Sequence, residues 1–435
     1  MEGRILKSTV RIALAGLACA TGFVMLAQDA NAVTLPPATV STNPANWTPN
    51  VVSSDATVRQ IVQCGSMMYA VGTFSQVAKP GGGKITRNNA FSFNATTGAI
   101  SSWNPNPNAT VYGVALSGDC SSVYLAGSFS SVGGASIKYL AKVNATGGAA
   151  DTAFKPAPNS SVQSIAYVQG KVFAGGYFTA IGGTGRKYLA SLNPATGAAT
   201  SYVNSITVSG QLQGNSPSPI KVYKIVPNPA QSRLLVLGAF TTVNGSTRSQ
   251  AFVADLGVSS ASVDAWYAPG LSLPCDPRFA FFVRSGSWSP DGNKIYLATT
   301  GGPHGKSPYC DMLAQFSSAP NTNTTADWRN LTGCDSLYAV AADTTSVYIG
   351  GHERWADNPN GCDHAGPGAL SRPGVGSIQV ANGKANAWNP TRDRGHGADG
   401  AIRTAAGLWV VSDTYDYSVM CGGEYHPGIC FFPNA

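Results

Sequence analysis

The feature that most constrains this chain is a unit of about forty residues at 162–202. It reads as an alternating apolar run (VQSIAYV), a tight Gln-Gly turn, a second β-rich run (KVFAGGYF) and a glycine loop (IGGTGRK). A third run (YLASLN), a Pro-Ala-Thr-Gly turn and a fourth run (AATSYV) complete it. Four short strands joined by turn chemistry cannot bury both faces of their sheet alone. Such a unit must stack against copies of itself.

Copies run through the chain. Their second strands stand at 69–74 (YAVGTF), 124–129 (YLAGSF), 173–178 and 235–240 (LVLGAF), with weaker versions at 296–301, 348–353 and 409–414. First strands precede them at 58–62, 111–116, 162–168, 222–226, 281–288, 337–341 and 402–405. The spacing, roughly fifty to sixty residues, is that of propeller blades. Fourth strands end near an aromatic and a proline, as in Trp103-Asn104-Pro105, Phe154-Lys155-Pro156, Trp266 before Pro269, and Trp388-Asn389-Pro390. The seventh unit lacks this ending, whereas a matching piece, Trp47-Thr48-Pro49, precedes the first unit with no strands of its own. Ring closure accounts for both, the N-terminal strand completing the last blade and removing open edges. The expected fold is all-β: a seven-bladed β-propeller with four-stranded blades. A linear solenoid would need capping units and has no use for the stray strand.

Segments such as ADTAFKPAPN, VFAGGYFTAIGG and YLASLN within 150–193 resemble the delta-sixty repeat propellers of secreted actinobacterial proteins. The ending GLWVVSDTY…GGEYHPGICFFP is similar to that of the family's long-signal members. The resemblance is tighter in units one to four than in five to seven. It implies a propeller and export, and leaves activity open, because a fold does not determine a function.

The N-terminus agrees with export. Arg4, Lys7 and Arg11, an apolar stretch at 12–26 and Ala30-Asn31-Ala32 read as a signal peptide over 1–32, leaving a propeller domain over 33–435. The apolar stretch is too short for a membrane anchor, and no later segment is a transmembrane candidate. Losing that segment takes the formal net charge from +7 to about +6, and no dense basic run occurs, which argues against a nucleic-acid partner. Only 11% of residues are charged, which disfavours long amphipathic helices. With Cys19 removed, eight cysteines remain, and an even set in an exported chain reads first as disulfides. The blade register places Cys64 with Cys120, Cys275 with Cys310, Cys334 with Cys362, and Cys421 with Cys430, each pair on one face. These are one of 105 connectivities. No C-x-x-C or zinc-like spacing is present.

Chemistry concentrates in the last third. The column of Phe74, Phe129, Phe178 and Phe240 becomes Gly301, Glu353 and Thr414 in units five to seven, and the preceding column acquires His352 and Asp413. Phenylalanine there plugs the gap between blades, so His352-Glu353-Arg354 exchanges packing for titratable groups. All five histidines fall on the face of the second-to-third loops and blade connections. The candidate ligand-binding residues on that face are Arg354, Arg392, Arg394, Tyr415, His304, Glu424 and His426, with Asp363 and Asp399 beside them. Should the protein be an enzyme, His352, Glu353, Asp413 and His396 are the candidate acids and bases. The plain alternative is that these loops, pinned by disulfides, meet solvent and one another.

Other motifs are structural. Gly81-Gly82-Gly83-Lys84 lacks the rest of a phosphate loop, Ser289-Pro290-Asp291-Gly292 is a turn, and no G-x-S-x-G elbow exists. Two functional classes remain: a secreted, monomeric binding protein for an extracellular glycan, peptide or protein, and an exported polysaccharide hydrolase or lyase. No cofactor is evident, although carboxylates and histidines would suit a divalent cation.

Overall fold

The computed structural model describes residues 38–212, 218–302, 305–415 and 419–435; the leader and His304 lie outside these residues. The architecture is all-β, with a short 3-10 turn at Pro269–Ser272. The chain forms antiparallel meanders in sequence order. Their first strands are Thr57–Cys64, Val111–Leu116, Val162–Val168, Lys221–Pro227, Val283–Trp288, Leu337–Ala342 and Ala398–Thr404. The Gln-Gly turn of the 162–202 unit has both residues at positive φ, 50° and 70°, the backbone a two-residue hairpin requires.

Central strands are buried on both faces. In Arg233–Ala239, every residue from Leu234 onward is buried, because neighbouring sheets cover it on either side. The core is accordingly divided among interfaces between consecutive sheets. One cluster joins Phe173 and Val168 to Val236 and Phe252, and another joins Trp409 and Phe431 near the C-terminus to Ile61 and Phe91 near the N-terminus. First strands neighbour one another in chain order, and Ala398–Thr404 lies against Thr57–Cys64.

Four-stranded sheets are fewer than expected. Among the described residues only the fourth and fifth units have a regular fourth strand, Ala261–Val263 and Ala326–Leu331. Units one, two, three and six reduce it to single bridges: Phe93 with Ile100, Val143 with Ala150, Leu192 with Ala199, and Ile378 with Ala385. The chain leaves the ladder there to seat its aromatic beneath the next unit, and the prolines that follow cannot donate to a ladder. Trp103 Nε1 donates to Asn144 O at 2.9 Å, Trp266 to Ser317 O at 2.9 Å and Trp388 to Ser41 O at 2.8 Å. The N-terminal segment takes the outer position beside Ile429–Pro433: Val40 bridges Asn434, Ser41 N–H donates to Pro433 O, and Ala45 N–H to Phe431 O. Trp47 then packs on Trp409 and Phe431, at 5.8 and 5.4 Å between ring centroids.

The four cysteine pairs form as the register implied, with Cα–Cα distances of 6.3, 5.8, 4.9 and 6.5 Å in chain order. No helix among the described residues is long and apolar enough to cross a membrane.

Candidate functional site

Phe74, Phe129, Phe178 and Phe240 are buried between sheets. Their carbonyls accept from the residue that opens the third strand, for example Tyr139 N–H to Phe129 O, and Glu353 O accepts from Gly374 N–H in the same way. Glu353 therefore occupies a phenylalanine's place with a carboxyl group. It is fully buried, and neither carboxyl oxygen has a hydrogen-bond partner among the described residues. Burial pushes its pKa up to about 8, with Asp335 adding to the rise while Arg392 and Arg394 oppose it. In the fifth unit the Cys275 sulfur stands against Gly301, where a side chain would have to fit. In the seventh, the Thr414 hydroxyl donates to Ser53 O and accepts from Ala56 N–H.

Asp335 is the hub of the polar cluster. It receives Arg354 Nε and Nη2 at 2.8 and 2.9 Å, Arg354 N–H at 3.0 Å and Arg394 Nη2 at 3.4 Å. Arg354 also reaches Asp363 at 2.5 Å, and these carboxylates hold its pKa above the usual arginine value. Arg394 Nε donates to His352 O at 2.8 Å. Arg392 is buried, donates to Asp413 O at 3.1 Å and lies 3.9 Å from that carboxylate; burial lowers its pKa. His352 stacks on Tyr338 with Nε2 2.8 Å from the hydroxyl, and burial lowers the imidazole pKa. His396 stands 4.4 Å from Tyr415, ring to ring. Glu424 and His426 pair with each other at 3.6 Å, and His426 Nδ1 meets Thr48 Oγ1 at 3.0 Å. The structure thus links His352, Arg354 and Arg394 around Asp335 and Arg392 to Asp413, sets the Glu353 carboxyl within the field of these groups without a hydrogen bond, and ties His426 to the N-terminal segment instead. Among the described residues no three His, Cys, Asp or Glu side chains gather as a metal site.

A second feature is absent from the expectations above. Each of the seven first strands carries a β-bulge at the same register, and the bulged residues are Arg59, Tyr112, Gln163, Tyr223, Arg284, Tyr338 and Asp399. The residue before each bulge is apolar and buried; the bulged residue is not, and all seven line one cavity of about 600 Å³. A bulge re-aims a side chain at the cost of a ladder pair. Here it turns one variable side chain per unit away from the core. The signal was present in the sequence, where V-R-Q-I, V-Y-G-V, V-Q-S-I, V-Y-K-I and L-Y-A-V align with an apolar first position and a changing second. The ring is in contact with itself and with the cluster: Arg59 lies 3.8 Å from Asp399 and 5.6 Å over Tyr112, Arg284 lies 5.2 Å over Tyr338, and Tyr338 holds His352.

No protein-family model and no curated protein matches the sequence. Solved structures do resemble the fold. The WD40 repeats of RRP9 align with a TM-score of 0.51 at 10% identity over 90% of this chain and 99% of that one. A structure of U3-55K aligns with the same score and identity over 90% and 100%. At this identity the likeness concerns architecture alone, and what it shows is a β-propeller fold of the kind WD40 repeats build.

Proposed function

We propose that the protein is an exported, non-catalytic binding module: a closed, seven-bladed propeller of the delta-sixty repeat type. It offers the face of its blade connections and second-to-third loops to an extracellular glycan, peptide or protein partner. Closure is supported by the cyclic order of first strands and by the pairing of residues 39–45 with Ile429–Pro433. Four disulfide pairs suit an oxidising compartment. The observation that carries the binding reading is the sevenfold bulge. Seven ladders give up a pair at one register to direct arginine, tyrosine, glutamine and aspartate side chains into one cavity, a device with no use in core packing.

The cluster around Asp335 serves this surface as its frame. Arg354 and Arg394 are committed to Asp335, and Arg392 lies against Asp413, so these arginines order the loops. The test is a glycan and peptide array probed with the mature protein, compared with Tyr112→Ala and Tyr338→Ala at the rim and Lys171→Ala in the Gln169-Gly170 hairpin at the opposite end of its first strand. Binding lost in both rim variants and kept in Lys171→Ala is the expected pattern. Equal binding by all three would overturn the assignment of the face.

A further inference from the structure

The charge of the cavity narrows what it holds. Its lining carries five basic side chains, Arg59, Lys221, Lys224, Arg284 and Arg403, against one acidic one, Asp399. Two of the basic groups already have carboxylates: Arg403 lies 3.4 Å from Asp343, and Arg59 lies 3.8 Å from Asp399. The others face neutral groups. Lys221 Nζ donates to the Tyr177 hydroxyl at 2.6 Å and Lys224 Nζ to Ser285 Oγ at 2.9 Å. Arg284, exposed to the cavity, lies over the Tyr338 ring, feels the Asp399 carboxylate without an ion pair to it, and makes no hydrogen bond among the described residues. Burial lowers the Lys224 pKa to about 8, with the Asp399 carboxylate opposing the fall and Arg284 adding to it.

Neutral polar and aromatic groups share the rest of the lining with aliphatic residues such as Val62, Leu116, Val226 and Ile402. Tyr112, Tyr223 and Tyr338 supply rings, and Gln163 and Ser287 supply short hydrogen-bonding groups. Cations beside tyrosine rings, amides and hydroxyls recognise an anion carried on a frame that offers hydroxyls to the polar groups and an apolar ring face to the tyrosines and aliphatic side chains. A cavity of about 600 Å³ is of the size that encloses a small ligand or the end of a chain. Building on the binding-module reading, we infer that the central cavity takes an acidic saccharide, whose carboxylate sits between Arg284 and Lys224 while its ring lies against the tyrosines.

Isothermal titration of the mature protein with a galacturonate trimer, its methyl ester and citrate tests this. The trimer is expected to bind, the uncharged ester at least about tenfold more weakly, and citrate more weakly than the trimer. Arg284→Gln and Lys224→Met, each removing one charge-assisted contact, are expected to weaken the trimer about ten- to a hundredfold while their thermal melting stays that of the parent. No binding of the trimer at millimolar concentration, or binding unchanged in both folded variants, would overturn the inference. Citrate binding as tightly as the trimer would overturn the saccharide assignment. Array partners retained by Arg284→Gln and Lys224→Met, with no uronate binding by the parent, would leave the binding module standing and remove this ligand.

Discussion

Glu353 shows at residue scale what replacing a core phenylalanine by an acid does. Its pKa in the folded protein, about 8, lies above the ordinary value of 4.5, so ionising it opposes folding. The penalty is absent below about pH 4.5, grows as pH rises and levels off above about pH 8. At pH 7 it is on the order of 3 kcal/mol. Glu353→Gln should therefore melt several degrees higher than the parent at pH 7–8 and at the same temperature near pH 4.5, read by thermal denaturation across that range. Asp335→Ala removes a buried carboxylate shared by two partly exposed guanidiniums, one of which keeps Asp363, and should cost about 1–3 kcal/mol in denaturant unfolding. That Glu353 differs from its column was legible in the sequence, because the repeats supply their own reference. That Asp335 is the hub was not: it sits between units, in a connection with no repeat partner to compare it with.

At the scale of elements, hydrophobic alternation and turn residues located the inner strands well, because the second strand of every unit is covered on both faces. The outer strand was overcalled in four units. Sequence alternation does not reveal that Leu192 and Ala199 make one bridge before the chain departs. Bulges escaped for another reason: an inserted residue shifts the alternation by one without breaking the apolar pattern around it. The disulfides, in contrast, followed from register alone. Their contributions should differ with the loop each closes, 56 residues apart for Cys64–Cys120 against 9 for Cys421–Cys430. The double serine variant of the first pair should lose about 1.5 kcal/mol more than that of the second in denaturant unfolding, in the chain-entropy account.

For the whole molecule, the core is a set of interfaces between successive sheets, one of which joins the last unit to the first, and in the proposed closed ring stability depends on that interface. Trp388 illustrates the coupling, since it packs on Tyr348 and Phe432 and donates to Ser41 O. Trp388→Ala should cost about 3–5 kcal/mol in equilibrium unfolding, as a large buried aromatic does. It should also loosen residues 39–45, which a local cavity elsewhere would not. In the proposed closed ring the cavity wall is completed where Asp399 of the last unit lies 3.8 Å from Arg59 of the first. Amide hydrogen exchange of the protein, followed on peptides covering residues 39–47 and 429–433, addresses this seam directly. Protection of Ser41 and Ala45 comparable to that of Ile429–Pro433 is the predicted result; exchange of Ser41 and Ala45 at the rate of an unstructured chain, with Ile429–Pro433 still protected, would contradict the closed ring.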